Sequence, residues 1–269
     1  MTETVKSWSE QWLEEYDSVR CSRSTVQAHG YLIRNHIAPR LGEVELNALT
    51  EQDVLAFLAA LPLGEAGRRN VSAVLRRCLQ QAVTDGLLEY NPVSVGLYHC
   101  PDSVNANILT EREMQDYLAE ADKQKRLAIF RLLLCTGVKV GELVQIRRED
   151  LDPEKNMLTV TGQRFRRIHL AKETTELLLQ EHARHRSSEL LFLHPGSRKP
   201  YTRGEIYCYH RKIAKACDLD GIRLCDLRHS CAVHALKNGI RPEELAAVLG
   251  HSDALDILRT YKAYLPRRI

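Results

Sequence analysis

The sequence predicts a mainly α-helical (α+β) protein of two domains, the second of which contains a small antiparallel sheet. Apolar residues recur at helical spacing through most of the 269 residues. One segment, residues 157–170, alternates apolar and polar side chains about a short glycine-containing turn, which predicts a β-hairpin. Residues 97–107 have little periodicity, and we interpret them as a linker between domains at residues 1–96 and 108–269.

The first domain is expected to be a bundle of four helices. Aromatic residues at intervals of four from Trp8 predict the first helix, and apolar periodicity predicts two more over residues 24–37 and 67–86. The remaining helix is expected to begin at Thr50, a suitable N-cap, with Asp53 in its first turn.

Arginines are concentrated on the last helix of this predicted bundle. Arg68, Arg69 and Arg76 could each contact a DNA backbone, because arginine binds phosphate oxygens through a planar fork of donors. A solvated helix face is an equally good interpretation of the same residues, and the sequence leaves both open.

Helix-start signals organise the second domain. Thr110 with Glu113, and Thr202 with Glu205, have the spacing of capping boxes, in which each side chain bonds the backbone N–H group of the other residue. The strongly apolar run at residues 125–135 predicts a buried helix between them.

Composition is that of an ordinary globular protein and argues against several other classes. No run of about 18 apolar residues is present and the N-terminus lacks a signal-peptide layout, so we expect a cytoplasmic protein without a membrane span. The eight cysteines form no Cys-x-x-Cys pair, so no metal site is expected. Residues 1–100 hold 9 basic and 12 acidic residues, whereas residues 101–269 hold 29 and 23, a mild basic bias compatible with nucleic acid.

Residues suited to phosphoryl transfer are concentrated near the C-terminus. The sequence Leu-Arg-His-Ser contains Arg228, Leu-Gly-His-Ser contains His251, and Thr-Tyr ends at Tyr261. A tyrosine hydroxyl can attack phosphorus, a guanidinium can bind two phosphate oxygens, and an imidazole can hydrogen-bond or move a proton. Such a set needs no metal, cofactor or ATP, because the bond energy is kept in the protein–DNA link. Tyr264 is an alternative nucleophile three residues further on.

This order of motifs resembles the second signature block of the tyrosine recombinases, the family of phage and transposon integrases and of the Xer and Cre proteins. Residues 135–143 resemble the first block, Thr-Gly-x-Arg-x-x-Glu-Leu, with Lys139 at the position of its arginine. The segment from Pro39 to Val54, and the tetrapeptide at residues 89–92, resemble the core-binding domain of integrases.

The resemblance implies a SAM-like, DNA-binding core-binding domain at residues 1–96 and a DNA breaking-rejoining catalytic domain at residues 108–269. It implies site-specific recombination through a covalent 3′-phosphotyrosine at Tyr261. The implied partners are double-stranded DNA recombination sites, other copies of the chain in a tetramer on DNA, and an accessory DNA-bending or directionality factor.

Three positions depart from the family pattern. Lys139 keeps a positive charge but loses the bidentate fork of arginine. The family's hairpin lysine, which protonates the leaving 5′ oxygen, corresponds to Thr161 by alignment or to Arg164 by charge. Cys225 stands where the family usually has a histidine, and a thiol cannot become cationic. The hairpin arginines can still contact phosphate; they are Arg164, Arg166 and Arg167.

Three functions are therefore weighed. The first is a site-specific recombinase or integrase that uses Tyr261, Arg228, Lys139 and His251. The second is a sequence-specific DNA-binding protein that keeps the recombinase fold and has lost its chemistry, as the three departures suggest. The third is a helical scaffold or protein-interaction module, which would require the signature matches to be chance.

Overall fold

The computed structural model agrees with the predicted fold class: it is mostly helical, with one three-stranded antiparallel sheet. It describes residues 3–93, 106–162, 164–185, 188–195, 197, 199–251 and 253–264. The chain divides into two compact units, Met1–Cys100 and Pro101–Ile269. Most of the predicted linker lies outside the described residues. Among the helices that are described, none has both the length and the apolar character needed to cross a bilayer.

The described part of the first unit is built from helices around one apolar core. The helices are α1 (Val5–Trp12), α2 (Ser18–Arg20), α3 (Arg23–Leu32), α4 (Ala38–Leu41), α5 (Glu51–Ala59) and α6 (Glu65–Thr84). Two π-helical turns, Leu13–Asp17 and Ile33–Ile37, join α1 to α2 and α3 to α4, so the helix predicted at residues 24–37 continues further than its periodicity indicated. The predicted N-cap of α5 is present, because Thr50 and Asp53 form a capping box.

The core of the first unit contains both tryptophans of the protein. Trp8 and Trp12 are almost fully buried, together with Ile33, Ile37 and Leu75. The indole Nε1 of Trp8 donates a 2.9 Å hydrogen bond to the carbonyl of Cys78, which ties α1 to α6. A buried indole N–H group needs such a partner, so this bond allows the large ring to be buried without a polar penalty.

Eight helices form most of the described part of the second unit. They are α7 (Glu111–Lys123), α8 (Leu127–Thr136), α9 (Val140–Leu143), α10 (Lys172–Ala183), α11 (Arg203–Ala216), α12 (Leu224–Lys237), α13 (Pro242–Leu249) and α14 (Ala254–Tyr261). Both predicted capping boxes are confirmed: Thr110 with Glu113 begins α7, and Thr202 with Glu205 begins α11. Helix α8 packs on α7, α10 and α12, as its continuous apolar sequence predicts for a central helix.

The sheet of the second unit has the strand order β1-β2-β3, with β1 at Leu151–Asp152, β2 at Met157–Thr161 and β3 at Phe165–His169. The predicted hairpin is confirmed, and Thr161 pairs with Phe165 at its closed end. Strand β1 has only two residues, too few for an alternating pattern, and was not predicted. Leu191 and Phe192 are buried, and the residues on either side of them form isolated bridges, Leu190 with Arg147 and Leu193 with Pro200.

Candidate active site

Arg228 lies at the meeting point of two helix ends. Its Nη2 donates to the carbonyl of Leu249 at 2.6 Å and its Nη1 to the carbonyl of Gly137. Leu249 is the last residue of α13, and Gly137 directly follows α8. Both acceptors therefore lie at the C-terminal end of a helix, where carbonyl groups lack partners within the helix and the helix dipole has its negative end. The side chain is therefore fixed within α8, α12 and α13. A guanidinium has five N–H groups, so these two bonds leave donors for a bound anion.

Left-handed glycines produce both helix ends. Gly137 has φ of +62° and Gly250 has φ of +73°, a region that L side chains rarely adopt. At α13 the amides of Gly250 and His251 bond the carbonyls of Ala247 and Ala246, the pattern of a Schellman motif. The last two carbonyls of the helix, those of Val248 and Leu249, accept from two arginines, Arg166 and Arg228.

His251 is positioned by the same helix end. It is the second residue after α13. Its backbone N–H group donates a hydrogen bond to the carbonyl of Ala246, and this bond orients the backbone that carries the half-buried ring. Its Nδ1 lies 3.9 Å from Asp256 Oδ2. Burial lowers the pKa of His251, with Arg228 and Lys139 acting in the same direction and Asp256 opposing them. The imidazole is therefore neutral at neutral pH, and the positive charges of Arg228 and Lys139 favour this neutral form.

Tyr261 is the last residue of α14 and is only 2% exposed. It belongs, with Val233, Leu249 and Ile257, to a separate apolar cluster of the second unit. Burial raises the pKa of Tyr261 to about 12, although the positive charge of Arg228 acts to lower it. The phenol is therefore protonated at rest and needs a proton acceptor to become a nucleophile.

The hydroxyl of Tyr261 lies 2.8 Å from Nδ1 of His229. The sequence analysis assigned His229 no role at the site. Its position beside Arg228 in Leu-Arg-His-Ser was an available signal. The contact itself joins residues 32 positions apart and depends on how α14 packs against α12.

Lys139 and Glu142 lie at the start of the short helix α9, where Lys139 is the N-cap. Lys139 is exposed, and its backbone amide donates to Glu142 Oε2 at 2.8 Å. Glu142 forms two hydrogen bonds with Arg166, at 2.7 and 2.9 Å, in an ion pair whose side chains are 9% and 6% exposed. Burial acts to raise the pKa of Glu142, but the bonds from Arg166 and the Lys139 amide outweigh it and hold that pKa below its usual value.

The three hairpin arginines differ in their surroundings. Arg166 is buried, and its three guanidinium nitrogens bond Glu142 and the carbonyls of Val248 and Arg164. A phosphate contact by Arg166 would require these bonds to break, and its expected contact with DNA stays a prediction. Arg164 and Arg167 are exposed, and Arg167 lies over the ring of Phe165.

Two other departures from the family pattern lie at the surface. Thr161 ends β2 and is exposed. Cys225 is exposed in the first turn of α12, with its Sγ 4.0 Å from the carboxylate of Asp226. Neither side chain carries a positive charge.

The arginines expected on the last helix of the first unit lie on α6. Arg76 is exposed, whereas Arg68 and Arg69 are half buried. Arg68 donates to the carbonyl of Leu61 at 3.0 Å, and Arg69 lies 3.7 Å from Glu65. Arg76 is therefore the most accessible of the three.

Two groups of side chains have ligand atoms close enough to share a metal ion. They are Asp17, Cys21 and His29 in the first unit, and Cys225, Asp226 and His229 in the second. In each group the carboxylate already has a protein partner: Asp17 bonds His29 at 2.7 Å, and Asp226 bonds Arg223 at 2.8 Å. The phosphoryl transfer expected from Arg228, His251 and Tyr261 uses neither group as a metal site.

Comparison with known proteins gives consistent results for sequence and fold. The model of the phage integrase family matches residues 107–267, and that of the phage integrase N-terminal SAM-like domain matches residues 4–61. The integrase of Mycobacterium phage L5 is 30% identical over 149 residues, which cover 55% of this chain and 39% of that integrase. The chain matches about two fifths of the length of this and similar phage integrases.

Solved structures agree with the fold. The Tn1549 transposon integrase in complex with circular intermediate DNA superposes with a TM-score of 0.83 at 18% identity, covering 100% of this chain and 97% of that one. A lambda integrase tetramer bound to a Holliday junction gives 0.76 at 20% identity, covering 95% and 77%. Since the family model spans more than half of the sequence, the chain belongs to the phage integrase family, that is, to the tyrosine recombinases.

Proposed function

We propose that the protein is a site-specific DNA recombinase or integrase that cleaves and rejoins DNA through a covalent 3′-phosphotyrosine at Tyr261. The observation that carries the proposal is the surroundings of Arg228. This arginine is fixed by the carbonyls of Gly137 and Leu249, and its charge reaches both His251 and Tyr261. A nucleophile, a phosphate-binding cation and a proton carrier are thus held within one electrostatic environment.

Each group has a defined role in this proposal. Tyr261 Oη attacks phosphorus, and Arg228 binds the non-bridging oxygens, whose charge grows in the transition state. Lys139 adds a second positive charge from the exposed side. His251, neutral at rest, hydrogen-bonds the phosphate or the leaving oxygen. Cys225 lies on α12, the same helix as Arg228, and supplies no charge.

The partners follow from the same proposal. The substrate is double-stranded DNA carrying recombination sites, contacted by Arg164 and Arg167 from the hairpin and by Arg76, with Arg68 and Arg69, from α6. The first unit acts as the core-binding domain and the second as the catalytic domain. Four copies act together on paired sites, an arrangement in keeping with the lambda integrase tetramer, and an accessory DNA-bending or directionality factor assists them.

A second candidate function is DNA binding without strand cleavage. The observation that favours it is the composition of the exposed side of the site, where Thr161 and Cys225 carry no charge and Lys139 replaces an arginine. Transition-state clamping and protonation of the leaving group are both weaker with these residues. This candidate keeps specific DNA binding and loses the covalent step.

A covalent-trapping assay separates the two functions. Duplexes tiled across the DNA that flanks the gene are first selected for binding by the Tyr261→Phe variant. The bound duplexes are then nicked, so that cleavage releases a short strand and the phosphotyrosine accumulates. We expect the wild-type protein to form an adduct that survives denaturing electrophoresis, and Tyr261→Phe to abolish it.

Tyr264→Phe is the matched control, because this tyrosine is close in sequence but lies in the following 3₁₀ turn. It should form the adduct at the wild-type level. An adduct that persists in Tyr261→Phe and disappears in Tyr264→Phe would reverse the assignment of the nucleophile. Selective binding without any adduct would favour the DNA-binding function.

A further inference from the structure

The hydroxyl of Tyr261 has a protein partner that the scheme above leaves without a chemical role. His229 Nδ1 lies 2.8 Å from Tyr261 Oη, and the two ring centroids are 5.8 Å apart with an angle of 60° between the rings. Helix packing makes this contact, because His229 belongs to α12 and Tyr261 to α14. Tyr261 is 2% exposed, so solvent has little access to the proton that the hydroxyl must lose.

The imidazole of His229 is in the form that accepts a proton. Burial lowers the pKa of His229; the carboxylate of Asp226 opposes this change, and the charges of Arg223 and Arg228 add to it. The ring is therefore neutral at neutral pH. In the tautomer protonated at Nε2, its Nδ1 carries a lone pair directed at the hydroxyl of Tyr261.

We propose that His229 is the general base that accepts the Tyr261 proton during DNA cleavage. This inference rests on the proposed recombinase function and identifies the proton acceptor at that site. As Tyr261 Oη bonds to phosphorus, its proton passes to His229 Nδ1. The bond from phosphorus to the 5′ oxygen breaks, and this oxygen keeps the electron pair and takes a proton from water. Religation reverses these transfers, and the imidazolium returns its proton to Tyr261.

The timing of the transfer follows from the two acidities. The pKa of Tyr261 is raised to about 12 and that of His229 is lowered, so the proton stays on the tyrosine before attack. As the bond to phosphorus forms, the phenol oxygen loses electron density and its proton becomes acidic, so transfer and attack occur together. The same hydrogen bond holds the tyrosine in place between reactions.

Other side chains on this face of α12 are less suited to the role. Cys225 is one turn before His229, and its thiol bonds weakly and cannot become cationic. Asp226 is fully buried and bonded to Arg223.

The other histidine of the site, His251, follows α13 and directs its Nδ1 toward Asp256. His229, in contrast, contacts the reacting oxygen directly.

The test uses His229→Asn in the full chain. The side-chain oxygen of asparagine occupies a place similar to Nδ1 and accepts the same hydrogen bond, but it does not take a proton at neutral pH. Adduct formation on the selected nicked duplexes should be about 10²-fold to 10⁴-fold slower than in the wild type, the usual contribution of a general base. His234→Gln is the matched control on α12, because the ring of His234 contacts the Leu109 carbonyl, whereas that of His229 contacts Tyr261. It should cleave at the wild-type rate.

A modified substrate separates the base from groups that act on the leaving oxygen. In a duplex with sulfur in place of the bridging 5′ oxygen, the thiolate leaves without needing a proton. We expect the ratio of adduct-formation rates between wild type and His229→Asn to be the same on this duplex as on normal DNA. Recovery of His229→Asn on the sulfur duplex would overturn the proposal, because it would assign the histidine to the leaving group.

The pH profile gives an independent readout. With the sulfur duplex, the wild-type rate should fall as the pH drops through the lowered pKa of His229, below about 6.5, because the protonated ring cannot accept a proton. This acid limb should be absent in His229→Asn and retained in His251→Asn. A wild-type rate and unchanged profile in His229→Asn would overturn the inference alone. Absence of any Tyr261-dependent adduct in the wild type would instead overturn the proposed recombinase function, and this inference with it.

Discussion

The candidate active site has a buried side and an exposed side that are built on different principles. On the buried side, Arg228 and Arg166 bond helix-end carbonyls, and Arg166 also pairs with Glu142. On the exposed side, Lys139 and Cys225 lie in solvent at the starts of α9 and α12. The buried side sets geometry through bonds within the protein, whereas the exposed side offers groups directly to a substrate.

The three departures from the recombinase pattern all lie on the exposed side, at Lys139, Thr161 and Cys225. Physical chemistry accounts for this distribution. Replacing an exposed side chain costs little stability, because water solvates whatever remains. Replacing a buried guanidinium leaves a carboxylate or several carbonyls without donors, which costs far more. The comparison therefore predicts that buried-side substitutions change stability, and exposed-side substitutions change rate alone.

The largest expected effect is on the buried ion pair. Arg166→Met removes the cation and leaves the Glu142 carboxylate buried, so the free energy of unfolding of the second unit should fall by about 3–5 kcal/mol. Arg167→Met, one position along the same strand but exposed, should change it by less than about 0.5 kcal/mol. Both tryptophans lie in the first unit, so unfolding of the second must be followed by circular dichroism or by hydrogen exchange of β3 amides.

The pH dependence of this variant tests the same contact. Because the pKa of Glu142 is held below its usual 4.5, the ion pair stabilises the fold fully above that value and is lost as the pH falls through the lowered pKa. The difference in free energy of unfolding between wild type and Arg166→Met should therefore be greatest near neutral pH and shrink below pH 4.5. A constant difference across this range would show that packing, rather than charge, accounts for the loss.

A smaller effect is expected at the helix end that both arginines share. Gly250→Ala places a side chain at φ of +73°, and its Cβ would lie 3.0 Å from Nη1 of Arg166. Gly239→Ala has similar strain at φ of +86° with no atom within 4 Å, so it measures the backbone cost alone. We expect losses of unfolding free energy of about 1–2 kcal/mol for both, from left-handed strain.

Cleavage distinguishes these two glycine variants. Only Gly250→Ala should slow adduct formation, because a shift of the α13 end moves His251 and the carbonyl that bonds Arg228. Equal cleavage by Gly250→Ala and Gly239→Ala would mean that this helix end does not position the site.

Local signals predicted many of the helices and the hairpin, for physical reasons. The capping boxes at Thr110 and Thr202, and the alternation of β2 and β3, depend on residues within a few positions of one another. Order and spacing also gave Arg228, His251 and Tyr261 as candidates, although their chemical roles are still proposals.

Long-range contacts were not predictable in the same way. The bond from His229 to Tyr261 spans 32 residues, and that from Arg166 to the Val248 carbonyl spans 82. Arg166 and Arg167 looked alike in sequence because both belong to a basic hairpin strand. Alternation placed them on opposite faces, but only the position of α13 and Glu142 shows which face is buried.

The smallest expected effect on stability comes from restoring the family-type groups on the exposed side. Lys139→Arg combined with Cys225→His gives back a bidentate fork and an imidazole, and we expect adduct formation to rise about tenfold, or about 1.4 kcal/mol in activation free energy. Unfolding free energy should change by less than about 0.5 kcal/mol, because both positions are exposed. Lys139→Arg with Cys208→His is the matched control, since Cys208 is an exposed cysteine on α11. If the control accelerates cleavage as much, Cys225 does not limit the rate. If the double variant loses stability instead, the exposed side also contributes to the fold, and the buried and exposed sides do not differ in the way proposed.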